Sequence, residues 1–356
     1  MRVLAGIAGV ILIALMLSEF FVAFLLPRRV RRDPRIARNI NRALWRPWRA
    51  IAAMFAPATG DTMLGLFGPL ALVFQLIIWT FGLLFGYALL EWAVGGGSFA
   101  DTVLSSSGLF LSAGASEGSY GVRVVQLLEA ATGVGVLFSV IGYLPSVYTA
   151  FSRRETAVSQ FATRAGSPPA AATLLEQVIG REQWRELERE LRSWEEWAAE
   201  LMETQLSYPL LGFYRSQHVN QNWLAALTAM VDVAAFVKAT APEGKVPAAD
   251  VTYAIGRHAL ADISLQFGLS KQPTSRLSDD EFDKLYAIVD KVTDDTVERD
   301  EAWRRLGELR EAYEANADAL ARFLAIDLPA WTRDEREESV REPRVRIGGD
   351  RHDLVG

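Results

Sequence analysis

Few side chains in this 356-residue sequence have the types needed for covalent chemistry. Cysteine is absent, which removes disulfides and thiolate metal or redox sites. His218, His258 and His352 lack the spacing of a metal site, and no nucleophile stands beside a base. The groups that remain are oxygens in an apolar setting. "SSGLFLSAGASEGSYG", residues 106–121, lies between two long apolar runs and carries one acid, Glu117. Glu19 and Glu129 sit inside apolar runs themselves. An ionisable residue at membrane depth is expensive, so a functional or pairing role is its default reading. No catalytic constellation, metal or cofactor is expected.

The elements that position these groups divide the chain in two. Half of all residues are hydrophobic, and nearly all the long apolar runs fall in the first 150. A bilayer core of about 30 Å takes about 20 apolar residues of helix. Residues 3–26, 63–93 and 124–151 each meet that length. The first ends in "PRRVRR", with no small-residue cleavage site, and reads as a retained anchor. Trp79 and Trp92 are placed toward the ends of the second as interfacial aromatics. Arg28, Arg29, Arg31, Arg32, Arg35, Arg38, Arg42, Arg46 and Arg49 crowd the connection between the first two runs, whereas 94–121 holds no Lys or Arg. The positive-inside rule then puts 27–62 and everything after 151 in the cytoplasm. The same Arg28–Arg49 cluster is expected to touch anionic lipid.

Ser98 or Asp101 is suited to cap a helix running to about Leu111. Such a helix is too short to span and too apolar for an exposed loop. Irregular backbone at membrane depth survives only where protein buries it or it lines a water-filled cavity. A short helix returning through an irregular segment between two spans has the form of a re-entrant pore loop.

Span, short helix, irregular segment and span, followed by "IGYLPSVYTAFSRRE", resemble the two-transmembrane, potassium-channel-like pore module of bacterial ion channels. The resemblance covers about residues 65–155. That family's filter reads Thr-Val-Gly-Tyr-Gly-Asp, and its positions fall on Ser112, Ala113, Gly114, Ala115, Ser116 and Glu117. The hydroxyl, first glycine and closing acid are kept. Ala115 replaces the aromatic and Ser116 the second glycine. A left-handed backbone at Ser116 would cost roughly 1–2 kcal/mol, and the lost aromatic removes the packing that fixes filter width. The resemblance thus implies a homotetramer whose wider, cation-permeable entrance is not strictly potassium-selective. It implies a ring of Glu117 carboxylates at the mouth, where such rings concentrate cations. It marks Gly133 and Gly135 as gating-hinge candidates. Pro145 joins them because it removes a backbone bond and kinks the helix, and Glu129, about two turns into its span, is read as a structural partner of the short helix. A non-conducting membrane scaffold or sensor that has lost its filter is the alternative.

The second half reads as helices throughout. Residues 156–171 form a linker ending in "GSPPAA", 172–332 a helical cytoplasmic domain, and 333–356 a charged, disordered tail. An amphipathic pair splits near Gly180, and Ser278 with Glu281 forms a capping box. "RSQHVNQNW", 215–223, is placed within a helix as an interhelical hydrogen-bond network ahead of a buried apolar segment. No strand precedes a Gly-rich turn, so a nucleotide-binding domain is excluded. The net charge of -6 argues against nucleic acid. The expected whole is an all-α, multi-pass protein of the bacterial inner membrane. It has an N-terminal helix (1–27), a basic linker (28–62), a pore module (63–155) and a cytoplasmic C-terminus.

Overall fold

The computed structural model describes residues 1–24, 36–112, 118–182, 184–216, 221–291 and 296–332. Those residues form helices and connections, with no strand among them. Four helices are long and apolar enough to cross a membrane by length and composition: α1 (Arg2–Phe24), α3 (Pro57–Gly95), α5 (Tyr120–Ala165) and α8 (Trp223–Thr240). They are not equivalent. Protein buries 94% of the apolar window of α8, against 17%, 44% and 22% for the other three. α8 is therefore the centre of a helical domain, as befits a helix that is apolar nearly all round.

α1 and α3 run antiparallel, and small residues set how near they come. A Cβ built on Gly9 would stand 2.6 Å from the Gly86 carbonyl oxygen, and one on Gly86 2.7 Å from Ile13. One on Gly82 would stand 2.5 Å from the Met16 sulfur. Gly82 and Gly86 are four residues apart on one face, the small-xxx-small arrangement that lets two apolar backbones touch. Farther along, Phe20 meets Trp79 edge-on with ring centroids 5.4 Å apart. Trp79 is thus buried between helices and is not an interfacial aromatic exposed to a boundary.

At 39 and 46 residues, α3 and α5 extend about 58 and 69 Å, near twice the thickness of a bilayer core. Their two halves have different neighbours. The C-terminal half of α3 packs on α1 and α4 (Phe99–Ser112), while Phe67, Ala71 and Leu72 join the core of the helical domain. α5 does the same through Val158, Phe161 and Ala165. Because α5 is continuous to Ala165, only 166–170 of the expected 156–171 linker is non-helical.

The helical domain adds α6 (Ala171–Glu182), α7 (Trp184–Ser207), α9 (Pro247–Phe267), α10 (Asp279–Asp290), α11 (Arg299–Glu311) and α12 (Glu314–Leu324). α6 is described to Glu182 and α7 from Trp184, with residue 183 outside the described residues. Ser278 accepts from Glu281 N while the Glu281 carboxylate takes the Ser278 N–H, forming the capping box at α10. Asp232, on α8, is buried and accepts from Tyr313 Oη and Arg276 Nη2, both at 2.6 Å. Burial first, and the Asp232 charge second, hold the Tyr313 phenol well above its ordinary value. Arg276 and Arg310 also lie against the ring of Trp331, and Ala172 N donates to the Trp331 carbonyl. The chain after α12 is thereby tied back to the start of the domain.

Residues 208–215 join the two halves of the molecule. A 3-10 turn, Pro209–Phe213, follows α7. Arg154 of α5, fully buried, donates to the Leu211 and Tyr214 carbonyls at 2.7 and 2.9 Å and pairs with Glu155. Burial lowers the Arg154 guanidinium, with Glu155 opposing the shift. The Tyr214 ring fills the space left by Gly68 on α3. Of "RSQHVNQNW", residues 215, 216, 221 and 222 are non-helical, Trp223 begins α8, and 217–220 lie outside the described residues. Arg215 donates to the Leu324 and Ala325 carbonyls, and Asn222 caps α8 by accepting from Ala225 N at 2.6 Å. A polar run ahead of an apolar helix supplies a cap more readily than an interhelical network.

The basic segment also has a structural use. α2 (Ile36–Ala52) buries Trp45 among Phe67, Phe213 and Phe323, and its indole donates to the Phe323 carbonyl at 2.7 Å. Arg42 donates to Phe267 O and Arg49 to Arg322 O, at the C-terminal ends of α9 and α12. Cations favour these ends because the last carbonyls lack helical partners. Arg28 to Arg35 lie outside the described residues, as does the side chain of Arg38.

Candidate functional site

The polar groups of the apolar half converge where α4 lies between α3 and α5. α4 runs from Phe99 to Ser112, one residue past its expected end. Thr102 bonds back to the Ser98 carbonyl at 3.0 Å, closing its first turn. Phe110 packs with Trp79, Leu83 and Val136 in a small apolar core shared with α1. On α5, the missing side chain of Gly133 receives the Phe110 carbonyl, and any Cβ there would overlap it. Gly133 therefore serves close approach of α4. Gly135 has open space around it, and Pro145 lies exposed within an uninterrupted α5.

Three polar links cross this packing. Ser106, fully buried on α4, bonds to the Glu129 carboxylate on α5 and lies 3.2 Å from the Leu84 carbonyl on α3. Gln126 Nε2 donates to Glu91 Oε1 at 2.6 Å. The Tyr87 and Thr132 hydroxyls share a hydrogen bond of 2.7 Å. Residues 87 and 91 of α3 thus face 132 and 126 of α5 in antiparallel register. Glu91 is 7% exposed and Glu129 0% exposed, although each has one carboxylate oxygen without a hydrogen-bond partner. Glu19 lies elsewhere, beside Asn41, Gln75 and Met16 where α1, α2 and α3 meet.

Of the residues singled out from sequence, Glu129 and Gly133 are brought together with α4. Ala113, Gly114, Ala115, Ser116 and Glu117 lie outside the described residues, and Ser112 is described only as the last residue of α4. Glu91, Ser106, Tyr87, Gln126 and Thr132 are absent from the sequence reading. Glu91 carried a signal, being an acid near the end of an apolar run, but its neighbour across the helices was not visible. Among the described residues no group of three or more His, Cys, Asp or Glu is arranged to hold a metal.

No protein-family model, no curated protein and no solved structure matches the chain.

Proposed function

We propose that the chain is a homotetrameric pore-loop channel of the potassium-channel-like kind, permeable to cations and not strictly selective for potassium. One observation carries the reading: the 14-residue α4 lodged between α3 and α5. That helix is about 21 Å long, enough to enter a bilayer core of about 30 Å and not to cross it. Its sequence is apolar, one polar residue near its middle is buried in the helix packing, and the chain re-enters a long apolar helix at Tyr120. α1, α3 and α5 are the spans in this reading, and α8 belongs to the cytoplasmic domain. The large apolar side chains left exposed on α1, α3 and α5, among them Ile7, Phe81, Leu127 and Phe138, exceed what a soluble surface carries and suit lipid or other subunits.

A single re-entrant segment per chain closes a pore only around an axis shared by several chains, and the kind of pore it resembles uses four. Ser112 to Glu117 line the entrance, with Glu117 drawing cations toward it and Ser116 in place of glycine loosening the filter. The test is ion flux into liposomes for the wild type and Glu117→Gln. Flux of sodium and potassium at similar rates, reduced in Glu117→Gln, is expected. Strong potassium preference overturns the filter reading. Absence of flux for any small ion, across pH and voltage, leaves the scaffold or sensor alternative.

A further inference from the structure

We propose that Glu91 and Glu129 form a proton-binding pair at the α3–α4–α5 seam, holding one proton between them at neutral pH. The observation is one of unmet valence. Both carboxylates are buried by protein alone, Glu129 completely, and each is hydrogen-bonded through one oxygen while the other has no partner. Gln126, which holds Glu91, and Glu129 are three residues apart on one face of α5, so the two carboxylates lie within about one helical turn of each other. Two bare carboxylates in such a place repel, and each carries a heavy desolvation cost unless a positive charge joins it. Like charges sharing a buried site are relieved by one proton taken in common.

Among the described residues the neighbours supply no other charge. α3 presents Tyr87, whose hydroxyl bonds to Thr132. α4 presents Ser106 and Thr102, with Asp101 exposed at its start. On α5 itself, Gln126 is neutral, and Arg123 is exposed and donates to the Gly118 carbonyl. Arg2 lies against Gly96, beyond the end of α3. A metal ion is less well served than a proton, because among the described residues two carboxylate oxygens are unpartnered here and no third acidic or imidazole ligand joins them. A proton needs no cavity. Its loss would leave two charges beside Ser106, the residue that bridges α4 to both long helices, so proton release would loosen α4.

Infrared spectroscopy of the full chain in liposomes tests this through the carbonyl stretch of a protonated, buried carboxyl. The wild type is expected to show that band at pH 7, shifted in deuterium oxide and titrating away in alkali. Glu129→Gln and Glu91→Gln are each expected to remove it. Glu129→Gln mimics the neutral acid, so it should keep the wild-type melting temperature at pH 7 and resist the alkaline loss of stability. The wild-type spectrum stands even if a variant fails to fold. No protonated band at pH 7, or a band unchanged in both variants, overturns the proposal. So does a melting temperature raised by sodium, potassium or calcium at fixed ionic strength and insensitive to those ions in Glu129→Gln, which would make the bound charge a metal.

Discussion

Single residues in this protein act by shape more often than by charge. Gly133 and Gly135 are two positions apart, yet only the first has a neighbour pressed against it. Gly133→Val should therefore separate α4 from α5 at a cost of about 1–3 kcal/mol, the usual range for overpacking. Gly135→Ala should be neutral or slightly stabilising, since alanine is the better helix former by roughly 0.5–1 kcal/mol. Thermal unfolding of both distinguishes packing from a hinge: equal effects would remove the packing role of Gly133. Charge matters on the surface, where Glu301 accepts hydrogen bonds from Arg304 and Arg305. Those bonds hold its carboxyl down from 4.5 to about 2. A carboxylate with a lowered folded value stabilises fully above the unfolded value and loses that contribution as pH falls. Stability attributable to Glu301 should thus decline between pH 4.5 and about 2. Glu301→Gln should flatten that stretch of the melting-temperature profile, the more so at low salt because the group is exposed.

At the scale of elements, two contacts decide how the helices are tied. α1 lies on α3 in a register that sets Gly6 opposite Ala93, with 3.1 Å between the Ala93 Cβ and a Cβ built on Gly6. The chain has no cysteine, so Gly6→Cys with Ala93→Cys is a clean crosslinking pair. It should oxidise readily after a small adjustment, because bridged Cβ atoms stand about 3.5–4.5 Å apart. Failure to crosslink, while a pair shifted by one helical turn succeeds, would displace the register. α2 is tied through Trp45, which is 2% exposed and surrounded by aromatics from α3, the 3-10 turn and α12. Trp45→Ala should cost about 3–5 kcal/mol, as burial of a large aromatic implies. A melting temperature equal to wild type would mean that α2 is not docked there.

For the whole molecule, the long lower parts of α3 and α5 make the helical domain continuous with the apolar half. Arg154, Tyr214 and Trp45 sit at that junction. The proposed topology puts Met54 and Leu265 on one side of the bilayer and Tyr120 on the other; all three are exposed. In sealed vesicles, single cysteines at 54 and 265 should react with an impermeant maleimide under the same condition, and a cysteine at 120 under the opposite one. Labelling of 54 and 120 from the same side would defeat the three-span arrangement.

The helices themselves were legible because their signals are local. Apolar length marks α1, α3 and α5, and Ser278 with Glu281 marks the start of α10. The existence of a short helix at 99–112, too brief to span, was also legible, as was the burial of α8. What sequence order does not carry is which polar group meets which across helices. Glu91 lies 35 residues from Gln126, and Ser106 lies 23 from Glu129. Such pairs form only when helix packing fixes depth and rotation together. The same holds for the arginines: positive charge in a connecting segment has one composition whether it meets lipid or helix ends. The elements and their apolar faces follow from local periodicity and length alone. Tertiary structure decided that Arg42 and Arg49 cap helices, that Gly133 admits α4, and that two acids share one seam. Each of these depends on a neighbour far away in the chain.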